Sequence, residues 1–290
     1  MTKNAIRLNT EVGILYFVYI LLLFIFTLVG SLFSLEVGLM LPHIVTFMTT
    51  IIFMIFTHTR PFFAISKFGV KDIIFVLCLI VPVYVISTTL RTCMSFFVSD
   101  IMDQSSQDLV NLCNSHSVIE LILMMAVLPA IVEEFVFRGA LYGIFKMKSV
   151  LSGMIVSTIC FSLTHMDVLN LLPTLFMGFI FVFVREITGS IYCSMLLHVL
   201  FNSISLLLTV YGQNEYVSKF VRMDFGVLLF LCLISIVFIV FFIRRSMIKK
   251  AIQLKAYDNK GVYVIAPAGV FVGWFICFIM MILMFCSQTL

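Results

Sequence analysis

Apolar residues run along the whole chain in stretches of about twenty, the length that lets a helix cross a bilayer core, and short polar segments separate them. We count nine stretches, of which the fifth and sixth are short and lie close together around Asp167. They fall near residues 13–35, 38–57, 73–90, 118–145, 150–165, 169–184, 190–210, 225–243 and 262–286. The pattern predicts an all-α, polytopic transmembrane helical bundle of eight or nine spans.

Composition supports the same class of protein. Apolar residues make up 62% of the chain, charged residues 11%, and the mean hydropathy is +1.20. These values exclude a soluble globular protein, which needs more polar surface. The net charge of +4 does not indicate a nucleic-acid partner, because the basic residues form short clusters between apolar stretches.

The basic residues also predict an orientation. With nine spans and a cytoplasmic N-terminus, fourteen of the 18 Lys and Arg residues face the cytoplasm and only three face outward, as the positive-inside rule requires. The cytoplasmic set is Lys3, Arg7, Arg60, Lys67, Lys71, Lys146, Lys148, Arg185, Arg244, Arg245, Lys249, Lys250, Lys255 and Lys260. The outward set is Arg91, Lys219 and Arg222.

Three charged residues lie inside the fourth stretch, at Glu133, Glu134 and Arg138. An ionised side chain at a helix centre costs about 3 kcal/mol, so their charged face must look into the protein or into a wet cavity. Glu134 and Arg138 are four residues apart and are predicted to pair along the helix. Glu133 points about 100° away from Glu134, and its adjacent like charge and apolar setting suit a general base.

The same stretch contains residues that alter helix packing. Pro129 has no amide hydrogen to donate to the carbonyl of Met125, which predicts a loosened helix one turn before the carboxylates. Gly139 and Gly143 form a small-residue pair that predicts close approach of a neighbouring helix.

Two histidines are predicted to reach similar membrane depths. His165 follows Phe161 by one helical turn, and His198 precedes Asn202 by one turn. At ~1.5 Å per residue from the predicted cytoplasmic ends, Glu133 lies ~18 Å deep, His165 ~22 Å and His198 ~12 Å. The other three histidines are predicted to be solvated or interfacial, because they fall in loops or near span ends: His43, His58 and His116.

One carboxylate, two imidazoles and an amide suit hydrolysis of a carbonyl compound. Glu133, His165 and His198 could hold Zn²⁺ with one position open for water. Alternatively, Glu133 and one histidine could activate water directly while the other histidine and Asn202 stabilise an oxyanion. No nucleophile motif, phosphate loop or organic-cofactor motif is present, so both alternatives lead to attack by water.

In this order and on three separate spans, the residues resemble the CPBP family of intramembrane proteases, also called the CAAX prenyl protease 2 or Abi family. The family pattern is EE-x-x-x-R, F-x-x-x-H and H-x-x-x-N or D. Its counterparts here are Glu133, Glu134, Arg138, Phe161, His165, His198 and Asn202. The resemblance suggests a catalytic core over residues 118–210, between N-terminal spans in 1–117 and C-terminal spans in 211–290.

The resemblance implies an intramembrane endopeptidase whose cavity is reached from the membrane or the cytoplasmic side. It makes Glu133 the water-activating residue, His165 its partner, and His198 with Asn202 the oxyanion-binding pair. Glu134, Arg138 and Phe161 would support the site. The family is often labelled metalloprotease, and the residues leave bound zinc and direct activation by glutamate both open.

From the resemblance we expect an integral protein of a bacterial plasma membrane that cleaves a membrane-associated peptide or protein. Gram-positive members resemble factors for processing of, or immunity to, bacteriocins and peptide pheromones. A non-catalytic immunity or peptide-binding protein of the same fold is therefore an alternative. A transporter with carboxylate proton sites is a third, which the absence of repeated halves in the sequence disfavours.

Overall fold

The computed structural model describes residues 3–98, 112, 115–147, 149–212, 224–254 and 266–289. Over these residues the bounds of nine helices are defined, and no strand occurs among them. The helices are α1 (Lys3–Ser31), α2 (Leu35–Phe56), α3 (Val70–Ser95), α4 (118–145), α5 (Val150–Leu163), α6 (Leu171–Thr188), α7 (Ile191–Val210), α8 (Phe225–Leu254) and α9 (Ala268–Thr289). A short 3₁₀ helix, Arg60–Phe63, lies between α2 and α3.

By length and composition, five helices of the described chain could cross a membrane: Arg7–Ser31, Leu35–Phe56, Val70–Ser95, Leu171–Thr188 and Ile191–Val210. Shorter apolar helices are Val150–Leu163, Phe225–Phe241 and Ala268–Met284. Large apolar side chains on the outer faces are exposed, as on α8 at Leu233, Val237 and Phe241. Such faces suit lipid contact, and the predicted all-α membrane bundle is confirmed.

Contacts between loops show which helix ends lie together. Ser66, which follows the 3₁₀ helix, donates through Oγ to the carbonyl of Gly189 at 2.6 Å. Lys146, just after α4, lies 3.1 Å from Glu186 of α6. At the opposite end, Nη1 of Arg91 on α3 donates to Asn170 ahead of α6 at 2.8 Å. Three segments that were predicted to be cytoplasmic, around residues 66, 146 and 189, therefore meet at one end of the bundle.

Helix α4 is interrupted by two wider π-helical segments, Ile122–Val127 and Glu134–Leu141. The first ends just before Leu128 and Pro129, where the Leu128 amide donates to the carbonyl of Leu123. The predicted loosening one turn before the carboxylates is confirmed. The second segment begins at Glu134, and π segments often mark functional sites because they change the direction of side chains along the helix.

Gly139 permits a close approach, but its neighbour is the 3₁₀ helix and not a long helix. The ring of Phe63, which is fully buried, occupies the space that a Cβ at Gly139 would need. This contact fixes the segment before α3 against the C-terminal part of α4.

We expect Gly139→Ala to destabilise the protein by about 1–3 kcal/mol, because the buried Phe63 ring would have to move. Thermal unfolding in detergent should show a lower midpoint than wild type. Gly69→Ala is a suitable control, since its Cβ would meet only Asp72 Oδ2 at 3.8 Å. Equal midpoints for the two variants would contradict the tight packing.

Candidate active site

The predicted ion pair on α4 is present and buried. Nη1 of Arg138 lies 2.9 Å from Oε1 of Glu134, and both side chains are 0% exposed. Nη2 of Arg138 also donates to the carbonyl of Gly178 on α6 at 3.1 Å. The pair therefore connects α4 to α6.

Two aromatic rings flank the guanidinium of Arg138. Its Cζ lies 4.1 Å from the ring centroid of Phe161 and 5.0 Å from that of Phe181. Such contacts stabilise a desolvated cation. Gly178 allows this arrangement, because a Cβ there would meet the Phe161 ring at 3.1 Å. Phe181 and Gly178 were not predicted from the sequence, where they lie in an ordinary apolar stretch.

His198 connects the two glutamates. Its Nδ1 lies 3.0 Å from Oε1 of Glu134, and its Nε2 lies 3.7 Å from Oε2 of Glu133. Because the Arg138-paired carboxylate is an acceptor, Nδ1 of His198 is the donor, which fixes the ring with Nε2 toward Glu133. The imidazole also stacks on Phe181, with centroids 4.4 Å apart.

Glu133 keeps partial contact with solvent, with 13% of its side chain exposed, whereas Glu134 is fully buried. The arrangement separates the two acids as predicted: Glu134 is held by Arg138 and His198, and Glu133 lines an open cavity.

His165 lies outside a helix, contrary to the prediction that its span extends to residue 165. Helix α5 ends at Leu163, and Asp167 Oδ1 accepts from the amides of Leu169 and Asn170 in the turn that follows. This local side-chain bonding competes with helix formation. The one-turn relation to Phe161 is retained, since Nδ1 of His165 lies 2.9 Å from the Phe161 carbonyl. Nδ1 therefore donates, and Nε2 is left as an acceptor.

A cavity of about 400 Å³ brings the candidate residues together. Glu133, His165, His198 and Asn202 all line it. The other lining residues, mixed polar and apolar, are Arg91, Met125, Pro129, Phe161, Asn170, Thr174, Met177, Phe181, Phe201, Ser205, Leu206 and Thr209. Glu134 and Arg138 lie behind this wall.

The segment that carries this site matches a known family. Residues 115–204 match the Rce1-like family, which is described as type II CAAX prenyl endopeptidase Rce1-like. We refer to residues 115–204, which are similar to this family, as the Rce1-like segment. The resemblance to CAAX proteases is confirmed over it, and together with the apolar helices it identifies an integral membrane protein. Neither a curated protein nor a solved structure matches the chain.

Bound zinc is the other mechanism that the sequence leaves open. No group of three or more His, Cys, Asp or Glu side chains that could hold a metal ion is found among the described residues. Nε2 of His198 lies 3.7 Å from Oε2 of Glu133, and the contact of Nδ1 of His165 with the Phe161 carbonyl leaves Nε2 of that ring as the acceptor. A histidine that binds zinc usually has its other nitrogen in such a bond, so zinc held by Glu133, His165 and His198 stays a prediction.

His43, which lies outside the Rce1-like segment, was predicted to be interfacial, and this is wrong. Helix α2 begins at Leu35, so His43 is about two turns inside it. Its ring interacts electrostatically with Glu133 and His165. Its Nδ1 is buried and has no hydrogen-bond partner in the described part of the chain. The signal in the sequence was a polar residue after Pro42 within an apolar stretch.

If the site is catalytic, we expect His43→Leu to lower kcat about tenfold, equivalent to ~1.4 kcal/mol, with little change in KM. The reason is loss of an imidazole that acts on Glu133 without lining the cavity. Steady-state kinetics checks this, with His58→Asn, an exposed residue at positive φ, as the control. If the unfolding midpoint fell together with kcat, His43 would have a packing role. The same would follow if a polar variant such as His43→Gln failed to recover kcat.

Proposed function

We propose that the protein is a glutamate-dependent intramembrane endopeptidase that hydrolyses a peptide bond in a membrane-associated peptide or protein. The proposal rests on one observation: a cavity brings together Glu133, His165, His198 and Asn202 in front of the buried Glu134–Arg138 pair. The Rce1-like match supports the same class of activity.

In this mechanism Glu133 removes a proton from a water molecule, which attacks the scissile carbonyl carbon. Nε2 of His165 accepts the second hydrogen of that water, since its Nδ1 is committed to the Phe161 carbonyl. The C–N bond then breaks, and Glu133 delivers its proton to the leaving amine. One water is consumed, and a carboxylate and an amine are released.

The oxyanion that forms on the carbonyl needs hydrogen-bond donors. We assign this role to the amide of Asn202 and to Nε2–H of a protonated His198, which lie one helical turn apart on α7 and line the cavity. Glu134 orients the ring by accepting from Nδ1 at 3.0 Å. The contact with Arg138 at 2.9 Å holds the Glu134 carboxylate in this position.

The cavity walls also favour a peptide with apolar side chains beside the cut. Phe161, Phe201, Met177 and Leu206 provide apolar surface around the polar centre. Peptide ligands bury apolar side chains in such pockets while a few polar groups fix their orientation. The proposal does not require a prenyl group on the substrate.

The test is cleavage of a library of membrane-tethered peptides by the purified protein in lipid discs, with products identified by mass spectrometry. We expect internal cleavage at a preferred sequence. The zinc content of the same samples distinguishes a zinc-dependent mechanism from direct activation of water by Glu133. Absence of cleavage by wild type, together with a cellular function that survives Glu133→Gln, would instead support a non-catalytic peptide-binding or immunity protein.

A further inference from the structure

The cavity has a floor and a mouth that can be assigned to helix positions. Glu133, Phe181 and His198 lie near the middle of α4, α6 and α7 and form the floor. Arg91 near the end of α3 and Thr209 near the end of α7 are exposed and form the mouth, beside Asn170 at the start of α6. The cavity therefore extends from mid-bundle toward one end.

Toward the opposite end, the described residues behind the floor are densely packed. Glu134, Phe137, Arg138 and Tyr142 are each 0% exposed. The Phe137 ring packs edge-on against Tyr19 and Phe161, with centroids 5.4 Å away in each case. A peptide cannot reach Glu133 through this layer without displacing a buried ion pair.

The two ends differ in basic residues. The closed end carries Arg60, Lys67, Lys71 and Lys146, next to the contacts of Ser66 and Glu186 described above. At the mouth, Arg91 is the cation among the cavity-lining residues. The four residues at the closed end all belong to the set of fourteen, among 18 Lys and Arg residues, that the sequence predicts to be cytoplasmic, so the positive-inside rule puts the closed end in the cytoplasm.

We propose that the cavity opens to the non-cytoplasmic face of the membrane, so that substrates reach Glu133 from outside the cytoplasm. Cleavage of a substrate in this cavity rests on the function proposed above, whereas the position of the mouth does not. The substrate class is then a peptide, or a segment of a membrane protein, that has already been translocated. This differs from the membrane or cytoplasmic access that the family resemblance implies.

Cysteine labelling tests the position of the mouth without requiring catalysis. Thr209→Cys places a thiol at the mouth, where the wild-type hydroxyl donates to the carbonyl of Ser205 in its own helix. Ser205→Cys places one a turn deeper on the cavity wall. Lys71→Cys, at the exposed start of α3, is the matched control for the opposite end. A membrane-impermeant sulfonate thiol reagent is applied to intact spheroplasts and to permeabilised ones.

We expect Thr209→Cys and Ser205→Cys to be labelled in intact spheroplasts, and Lys71→Cys only after permeabilisation. Wild type gives the background from the eight native cysteines. The reverse pattern, or labelling of Ser205→Cys only after permeabilisation, would overturn the proposal.

Sealed vesicles separate this proposal from the proposed activity. Tethered peptides added to right-side-out vesicles should be cleaved at least about tenfold faster than in inverted vesicles, and faster cleavage in inverted vesicles would also overturn the proposal. Absence of cleavage in both, with the expected labelling, would refute the protease and leave the outward-facing cavity established.

Discussion

Glu133→Gln is expected to eliminate peptide cleavage, with a fall in kcat of roughly 10² to 10⁴-fold, the usual contribution of a general base. Gln has almost the same shape as Glu but cannot take a proton from water. Because Glu133 is 13% exposed at the cavity wall and Glu134 holds the buried pair with Arg138, the substitution should leave the fold intact. The measurement is single-turnover cleavage of the preferred peptide beside thermal unfolding.

Glu36→Gln is the matched control for the same change in charge. Glu36 lies at the start of α2, 3.5 Å from His116 and away from the cavity wall. Cleavage by this variant should equal that of wild type. If Glu133→Gln retained wild-type kcat with an unchanged unfolding midpoint, the glutamate mechanism would be refuted. The position of the cavity mouth would not be affected by that result.

The parts of the site that the sequence predicted are those set by local geometry. The Glu134–Arg138 pair follows from a spacing of four on one helix, and the contact of His165 with Phe161 follows from the same spacing. Helix α4 was predicted with its bounds at 118–145 because apolar residues dominate it and polar loops flank it. Such features need no knowledge of how the helices pack.

Contacts between helices could not be predicted in the same way. His198 meets Glu134 across 64 positions of sequence, and the Gly178 carbonyl meets Arg138 across 40. A periodic pattern shows which face of a helix is apolar, but not which neighbour that face meets. His43 was missed for a related reason, since a start of α2 three residues earlier than predicted moves it from the span end into the bundle.

Hydropathy also does not predict helix ends that are determined by side-chain hydrogen bonds. The apolar stretch continues through residue 165, yet Asp167 caps the following turn and Met166 has a positive φ of 50°. The result exposes His165 to the cavity instead of burying it on a helix face. A hydropathy window averages over these few polar atoms, so it cannot locate them.

Arg138→Met is expected to cost about 3–5 kcal/mol of stability, because it leaves the fully buried Glu134 carboxylate without its cation. The double variant Glu134→Gln/Arg138→Met removes both charges and should recover most of that loss. Its Gln carbonyl can still accept from Nδ1 of His198, so the orientation of the imidazole should persist. Thermal unfolding of the two variants gives the difference.

Activity of the same double variant then separates packing from electrostatics. The amide of Gln is a weaker acceptor for Nδ1 of His198 than a carboxylate is. The imidazole should therefore stabilise the oxyanion less, and kcat should fall about tenfold or more, ~1.4 kcal/mol or above, in a protein of near-normal stability. A double variant as unstable as Arg138→Met would mean that Arg138 acts mainly through Phe161, Phe181 and the Gly178 carbonyl. A stable double variant with wild-type kcat would exclude Glu134 from the stabilisation of the oxyanion.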